Sequence, residues 1–327
     1  MSGNITRCKT KFSSAAAPDN ENNYSKTNSF KVRFLVKTFP MKEKPINECP
    51  VPNGILVIVG GKENRGEQPE KETQKGNSEP LEILRTFVNL IKKENPAIAV
   101  VTTASSEGVE MFEDYKSAFS DLKVENLQHI HHDVREEVIK GDTSWVKNVD
   151  AVFFAGGDQL KLTSLYGGSP VLFDLKQRYI HERLVIGGTS AGAMALSTPM
   201  IYAGNQDVQQ ISGEIKITLG LEFLKDVCVD THFVDRGRVV RMAQVIATNP
   251  TCIGIGIEED TAVIIRNGIE AEVCGSGIVI MMDGRDITES NVTDFNAKRA
   301  VSIRNLNTNM LSKGDSFVIL QNNPPHI

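Results

Sequence analysis

From residue 53 onward the chain alternates two textures. Short, almost wholly apolar runs are followed by stretches in which apolar side chains recur every three or four positions. The runs from Gly54 to Val59, Ile98 to Thr103, Val124 to Ile130, Ala151 to Phe154, Leu184 to Ile186 and Val227 to Asp230 read as buried strands. Leu81 to Ile91 carries apolar residues at 81, 84, 87, 90 and 91, which is helical spacing, and Met111 to Leu122 and Arg236 to Thr248 behave alike. Strands alternating with helices predict an α/β fold with a mostly parallel sheet and helices on both faces. After Cys252 the texture changes to short strands separated by Asn267-Gly268, Gly275-Ser276-Gly277 and Asp283-Gly284, and such turn residues signal hairpins. The expected organisation is one α/β domain over 53–327, with a C-terminal β-hairpin region at 283–327 and no internal repeat.

Residues 1–52 form an N-terminal extension of different character. Positions 13–30 are rich in Ser, Asn, Ala, Asp and Glu with almost no large aliphatic side chains, a composition that predicts disorder. No apolar stretch follows Met1 as a secretory signal would require, so a cytoplasmic location is expected. The net charge of −5 carries no electrostatic footprint for nucleic acid. No run approaches the roughly 18 apolar residues of a membrane span, so no membrane partner is expected. The 5 cysteines lack C-x-x-C spacing and predict no disulfide framework.

The candidate chemistry begins at Gly188-Thr189-Ser190-Ala191-Gly192, which follows a strand and precedes a helix-compatible stretch. This is the G-x-S-x-G layout of a nucleophile elbow, in which flanking glycines permit a sharp turn that lifts the serine hydroxyl clear of the sheet. An oxyanion formed there would meet the N–H of Ala191 and that of Gly157, in the Gly156-Gly157-Asp158-Gln159 loop. In open α/β sheets ligands gather at the carboxyl ends of strands, where the loops at 60–62, 156–159, 190 and 230–232 all lie. A serine nucleophile needs a base, and His232 follows a strand downstream of it. His129, His131 and His132 cluster at another strand end, but no carboxylate completes a ligand set, so neither metal nor cofactor is expected. The acid that would orient His232 has three candidates, Glu259 in Glu258-Glu259-Asp260, Asp207 and Glu214, and spacing leaves the choice open. Arg236, Arg238 and Arg241 follow His232, and their guanidinium forks suit a substrate with carboxylates.

The blocks Val57 to Gly61, Phe153 to Thr163 (FFAGGDQLKLT), Ile186 to Met194 (IGGTSAGAM), Asp230 to Arg241 (DTHFVDRGRVVR) and Gly254 to Ala262 (GIGIEEDTA) resemble the cyanophycinase family. These serine peptidases also include aspartyl dipeptidase, and the tail from Ser302 to Ile319 continues the likeness more weakly. The resemblance implies a flavodoxin-like fold, a homodimer, and a catalytic triad of Ser190, His232 and Glu259. It places Gln159, Thr189, Asp230, Arg236, Arg238 and Arg241 along the substrate pocket. It also implies hydrolysis of cyanophycin, a poly-aspartate with arginine on each β-carboxylate, to β-Asp-Arg dipeptides, with Asp230 facing the arginine and the three arginines the aspartate carboxylates. The alternatives are an aspartyl dipeptidase acting on short Asp-Xaa or isoaspartyl peptides, and a non-catalytic or amidotransferase-like binding domain that kept the elbow. The chain departs from the family pattern at Thr231, where glutamine is common, and in its long N-terminal extension.

Overall fold

The first strand, β1 (Ile55–Val59), is apolar at every position because both of its faces are covered. In the computed structural model of the chain the described residues are 50–66, 78–204, 210–294 and 299–319, all within the compact unit Glu48–Ile327. The expected disorder at 13–30, the extension before Pro50, and Asp207 lie outside the described residues.

After β1 the order is α1 (Glu82–Ile91), β2 (Ile98–Val101), α2 (Gly108–Asp121), β3 (Leu127–Ile130), α3 (Arg135–Lys140), α4 (Trp145–Asn148) and β4 (Ala151–Phe154). Next come α5 (Gln159–Tyr166), α6 (Pro170–His181), β5 (Val185–Thr189), α7 (Ala191–Ala195), β6 (Ser197–Thr198), β7 (Met200–Ala203), β8 (Lys216–Thr218) and β9 (Leu224–Lys225). The chain then forms β10 (Val227–Thr231), α8 (Val239–Thr248), β11 (Ile253–Ile257), β12 (Thr261–Arg266), β13 (Glu270–Gly275) and β14 (Val279–Asp283). Four short strands close the described fold: β15 (Glu289–Ser290), β16 (Ile303–Arg304), β17 (Asn307–Leu311) and β18 (Ser316–Val318).

The larger sheet has 8 strands in the order β18-β13-β12-β1-β5-β4-β2-β3. Strands β1, β5, β4, β2 and β3 are parallel to one another, and β12, β13 and β18 add an antiparallel edge beside β1. The β3-β2-β4-β5 succession follows the doubly wound, flavodoxin-like pattern. Alternation along β1 divides the core: Ile55, Val57 and Val59 meet Leu84 and Phe87 of α1 and Tyr115 and Phe119 of α2. Leu56 and Ile58 belong to the opposite core, with Leu162, Leu175, Val229 and Phe233. Strands buried on both faces lack polar alternation, and that is why they appear in the sequence as solid apolar runs.

One element sits differently from the sequence pattern. The run at 227–230 does not extend the main sheet; β10 pairs parallel with β11 in a second sheet of 6 strands, ordered β17-β14-β11-β10-β6-β9. A solid apolar run signals burial on two faces and carries no information about which sheet supplies the neighbours. Cys228, Cys252 and Cys274 are free thiols buried in these cores.

Candidate active site

Ser190 sits between β5 and α7 with φ 50° and ψ −117°, a left-handed conformation that a residue with a Cβ adopts only under constraint. Its N–H donates to the Val59 carbonyl at 3.1 Å, and its own carbonyl accepts the Met194 N–H at 3.0 Å, starting the helix. Gly192 allows that helix to lie against β4, since a Cβ there would stand 2.2 Å from the Phe154 carbonyl oxygen. Ser190 Oγ lies 2.9 Å from His232 Nε2, and His232 Nδ1 lies 2.7 Å from Glu259 Oε1. The parallel register of β10 and β11 places Thr231 opposite Ile257, which sets the residues just beyond both strands beside each other.

The loop after β1 ties these three segments together. Val59, Gly60 and Gly61 present successive carbonyls to the N–H groups of Ser190 (3.1 Å), His232 (2.9 Å) and Asp260 (2.9 Å). Gly61 has φ 101° and lies directly against the imidazole; a Cβ there would come within 2.4 Å of His232 Cε1. Only glycine combines that backbone angle with that approach.

His232 is 4% exposed. Burial pulls its pKa below the ordinary value near 6.5, Arg236 and Arg238 push in the same direction, and the hydrogen bond and charge of Glu259 work against them. The imidazole is therefore neutral at pH 7. The partners assign the tautomer: Nδ1–H donates to Glu259, leaving Nε2 to accept the Ser190 hydroxyl proton. Lys62 Nζ stands 3.1 Å from the same Glu259 oxygen, on a side chain that is 66% exposed.

The other sequence-selected residues fall into distinct places. Asp230 is fully buried beneath the rim; Arg241 donates to it through Nε at 2.6 Å and also through Nη2, Arg238 Nη1 donates at 2.9 Å, and the Thr231 N–H adds a fourth contact at 2.9 Å. Its carboxylate thus faces inward, toward two of the arginines rather than toward open solvent, while Arg236 is exposed. Thr189 is buried and its hydroxyl donates to Glu63 at 2.6 Å. Gln159 Nε2 donates to the Ile201 carbonyl at 3.0 Å. A Cβ on Gly156 would lie 3.8 Å from Ser190 Oγ, so the 156–159 loop borders the serine. Glu214 is exposed in the turn before β8. His129 Nε2 and His131 Nδ1 share the Thr102 hydroxyl at 2.7 and 2.9 Å, and His132 Nδ1 meets Tyr166 OH at 2.8 Å.

Two residues in this neighbourhood receive no role from the sequence, although Lys62 lies in the strand-end loop 60–62 singled out there. Lys62 and Glu63 follow a recognised strand-end glycine pair, but neither belongs to a motif whose spacing reports a partner far along the chain. Among the described residues one group of carboxylates, Asp235, Glu258 and Glu259, is close enough to hold a metal ion. Glu258 Oε2 already accepts the N–H groups of Val234 (2.5 Å) and Asp235 (3.1 Å), and Glu259 already faces His232 and Lys62.

A profile of "Peptidase family S51" matches residues 72–272. The chain belongs to this family. It is a serine peptidase, and its relatives include a cyanophycinase from Geminocystis herdmanii, 30% identical over 265 residues that make up 80% of this chain and 92% of the relative. A cyanophycinase from a Nostoc species is 32% identical over 244 residues, 73% of this chain and 81% of the relative. The solved structure of a peptidase from an acI-B1 Actinobacterium shares the fold, with a TM-score of 0.56 and 20% identity over 82% of this chain and 98% of that one.

Proposed function

We propose that this S51 peptidase hydrolyses cyanophycin to β-Asp-Arg dipeptides, with Ser190 as nucleophile, His232 as general base and Glu259 as the acid that orients it. The observation that carries the reading is the hydrogen-bonded line from Ser190 Oγ to His232 Nε2 (2.9 Å) and from His232 Nδ1 to Glu259 (2.7 Å), set on a serine with φ 50°. The cyanophycinase relatives support the choice of substrate. In the first step Ser190 Oγ bonds to a backbone carbonyl carbon of the aspartate chain while its proton passes to His232 Nε2. The C–N bond then breaks as His232 returns that proton to the leaving amine, giving an acyl-enzyme. Water, deprotonated by the same imidazole, attacks the ester, releases the acyl group as its carboxylate and restores the serine. The N–H groups of Gly157 and Ala191 are the candidates for holding the oxyanion. Arg236, and the partly exposed side chain of Arg238, supply positive charge for aspartate carboxylates. Asp230 acts by holding Arg238 and Arg241 and, fully buried beside them, does not itself bind the substrate's arginine.

The test is product analysis with cyanophycin and a set of α-Asp-Xaa dipeptides offered to wild type and Ser190→Ala. Soluble β-Asp-Arg from the polymer is expected, with turnover by Ser190→Ala reduced by several orders of magnitude. Cleavage of α-Asp-Xaa alone would assign the aspartyl dipeptidase activity instead. Ser190→Ala keeping more than about a tenth of wild-type turnover would exclude the serine mechanism. The proposed steps use no metal ion, so EDTA is expected to leave the rate unchanged.

A further inference from the structure

The β1 loop contains a carboxylate for which the steps above have no use. Glu63 is 4% exposed, its side chain is enclosed, and it stands between three elements. Thr189 Oγ1, from the residue preceding the nucleophile, donates to Oε2 at 2.6 Å. Tyr115 OH, from α2, donates to Oε1. Arg65 Nε stands 3.6 Å from Oε1, and its guanidinium lies over the Tyr115 ring at 4.6 Å from the centroid. Burying a carboxylate is costly unless hydrogen bonds and opposite charge offset it, and Glu63 has both.

We propose that Glu63 is a positioning residue that locks the nucleophile elbow by holding the Thr189 hydroxyl. Ser190 is kept in a left-handed conformation, which relaxes unless the residues on either side are held. Toward the helix, α7 and its seat on β4 do this. Toward the strand, β5 ends at Thr189, and the Glu63 contact is the side-chain tie at that end. The tie is charge-assisted, hence short and directional. Glu63 also belongs to the loop whose carbonyls hold Ser190, His232 and Asp260, so one five-residue segment, 59–63, sets both the backbone of the site and the side chain behind the serine. Thr189 on this account presents its hydroxyl to the interior and makes no contact with substrate.

This inference rests on Ser190 being the nucleophile, and the experiment separates the two. The full chain carrying Thr189→Val, Glu63→Gln or Thr189→Ser is compared with wild type for the rate of Ser190 labelling by an organophosphonate, for kcat and KM on cyanophycin, and for Tm. Valine keeps the volume of threonine but removes the donor. Thr189→Val and Glu63→Gln are expected to lower the labelling rate and kcat together, on the order of a hundredfold for a misplacement near 1 Å, with KM unchanged. Thr189→Ser keeps the hydroxyl and is expected to retain most of the rate. A substrate contact at Thr189 would instead raise KM and leave labelling untouched. Thr189→Val labelling at the wild-type rate would overturn the proposal, even if Glu63→Gln failed to fold. A wild-type chain that takes no label would sink the serine reading and this inference with it, whereas a labelled wild type with unaffected variants sinks the role of Glu63 alone.

Discussion

His232 is enclosed enough for its surroundings to choose its protonation state. A general base must be neutral to accept a proton, so activity is lost as pH falls through its pKa. Burial and the two nearby arginines hold that pKa below 6.5. The acid limb of kcat/KM should therefore have its midpoint below pH 6.5, and Arg236→Gln should move it upward by removing a positive charge. A wild-type midpoint at or above 6.5 would contradict the assignment of His232 as a buried base. Asp230 makes a different case, because its carboxylate is paired with two guanidinium groups. Its side chain is fully buried and that of Arg241 is 8% exposed, so Asp230→Ala leaves guanidinium charge uncompensated. Removing one partner of a buried pair typically costs about 3–5 kcal/mol. Urea denaturation should show a loss of that size with an unchanged slope, and a loss under about 1 kcal/mol would mean that solvent reaches the cluster.

Among elements, the elbow helix α7 is the most constrained. It contacts β5, α5 and β10, and every one of its residues is buried. Its five residues, Ala-Gly-Ala-Met-Ala, are mostly small because two sheets leave little room for them. Gly192→Ala adds one methyl 2.2 Å from the Phe154 carbonyl and 2.8 Å from that of Ala155, both of them backbone atoms that cannot rotate aside. The helix must move off β4 and carry Ser190 with it. A stability loss of about 1–3 kcal/mol is expected from overpacking, and a loss of turnover well beyond what that instability explains. Calorimetry and single-turnover kinetics on the same preparation separate the two effects. A variant that turns over normally would show that the serine tolerates displacement of its helix.

For the molecule as a whole, the site is a junction between two sheets. The serine follows β5 of the larger sheet, and the histidine and Glu259 follow β10 and β11 of the smaller one. The β1 loop bridges them. One chain supplies all three residues, so the homodimer implied by the family likeness is not needed to assemble them. Sedimentation equilibrium is expected to give twice the 35.9 kDa chain mass, with specific activity unchanged on dilution to monomer. Activity that vanished with dissociation would place part of the substrate pocket on the partner subunit.

What the sequence alone determined is local in origin. Strands buried on two faces need apolar side chains at every position, helices against a sheet need them at helical spacing, and an elbow needs glycines beside its serine. Each of those requirements leaves a mark within a few residues, so β1 to β5, α1, α2 and the turn at Ser190 were legible. The likeness of paired blocks added His232 and Glu259 in the expected order. The tertiary structure alone decided where side chains point and which distant segments meet. It set β10 in a second sheet, put Glu259 rather than the exposed Glu214 beside the imidazole, turned Asp230 and Thr189 inward, and brought Lys62 and Glu63 to residues more than a hundred positions away. A carboxylate next to a glycine pair looks the same in sequence whether it meets water or a buried hydroxyl. The difference lies in the strand register and sheet packing that close around it.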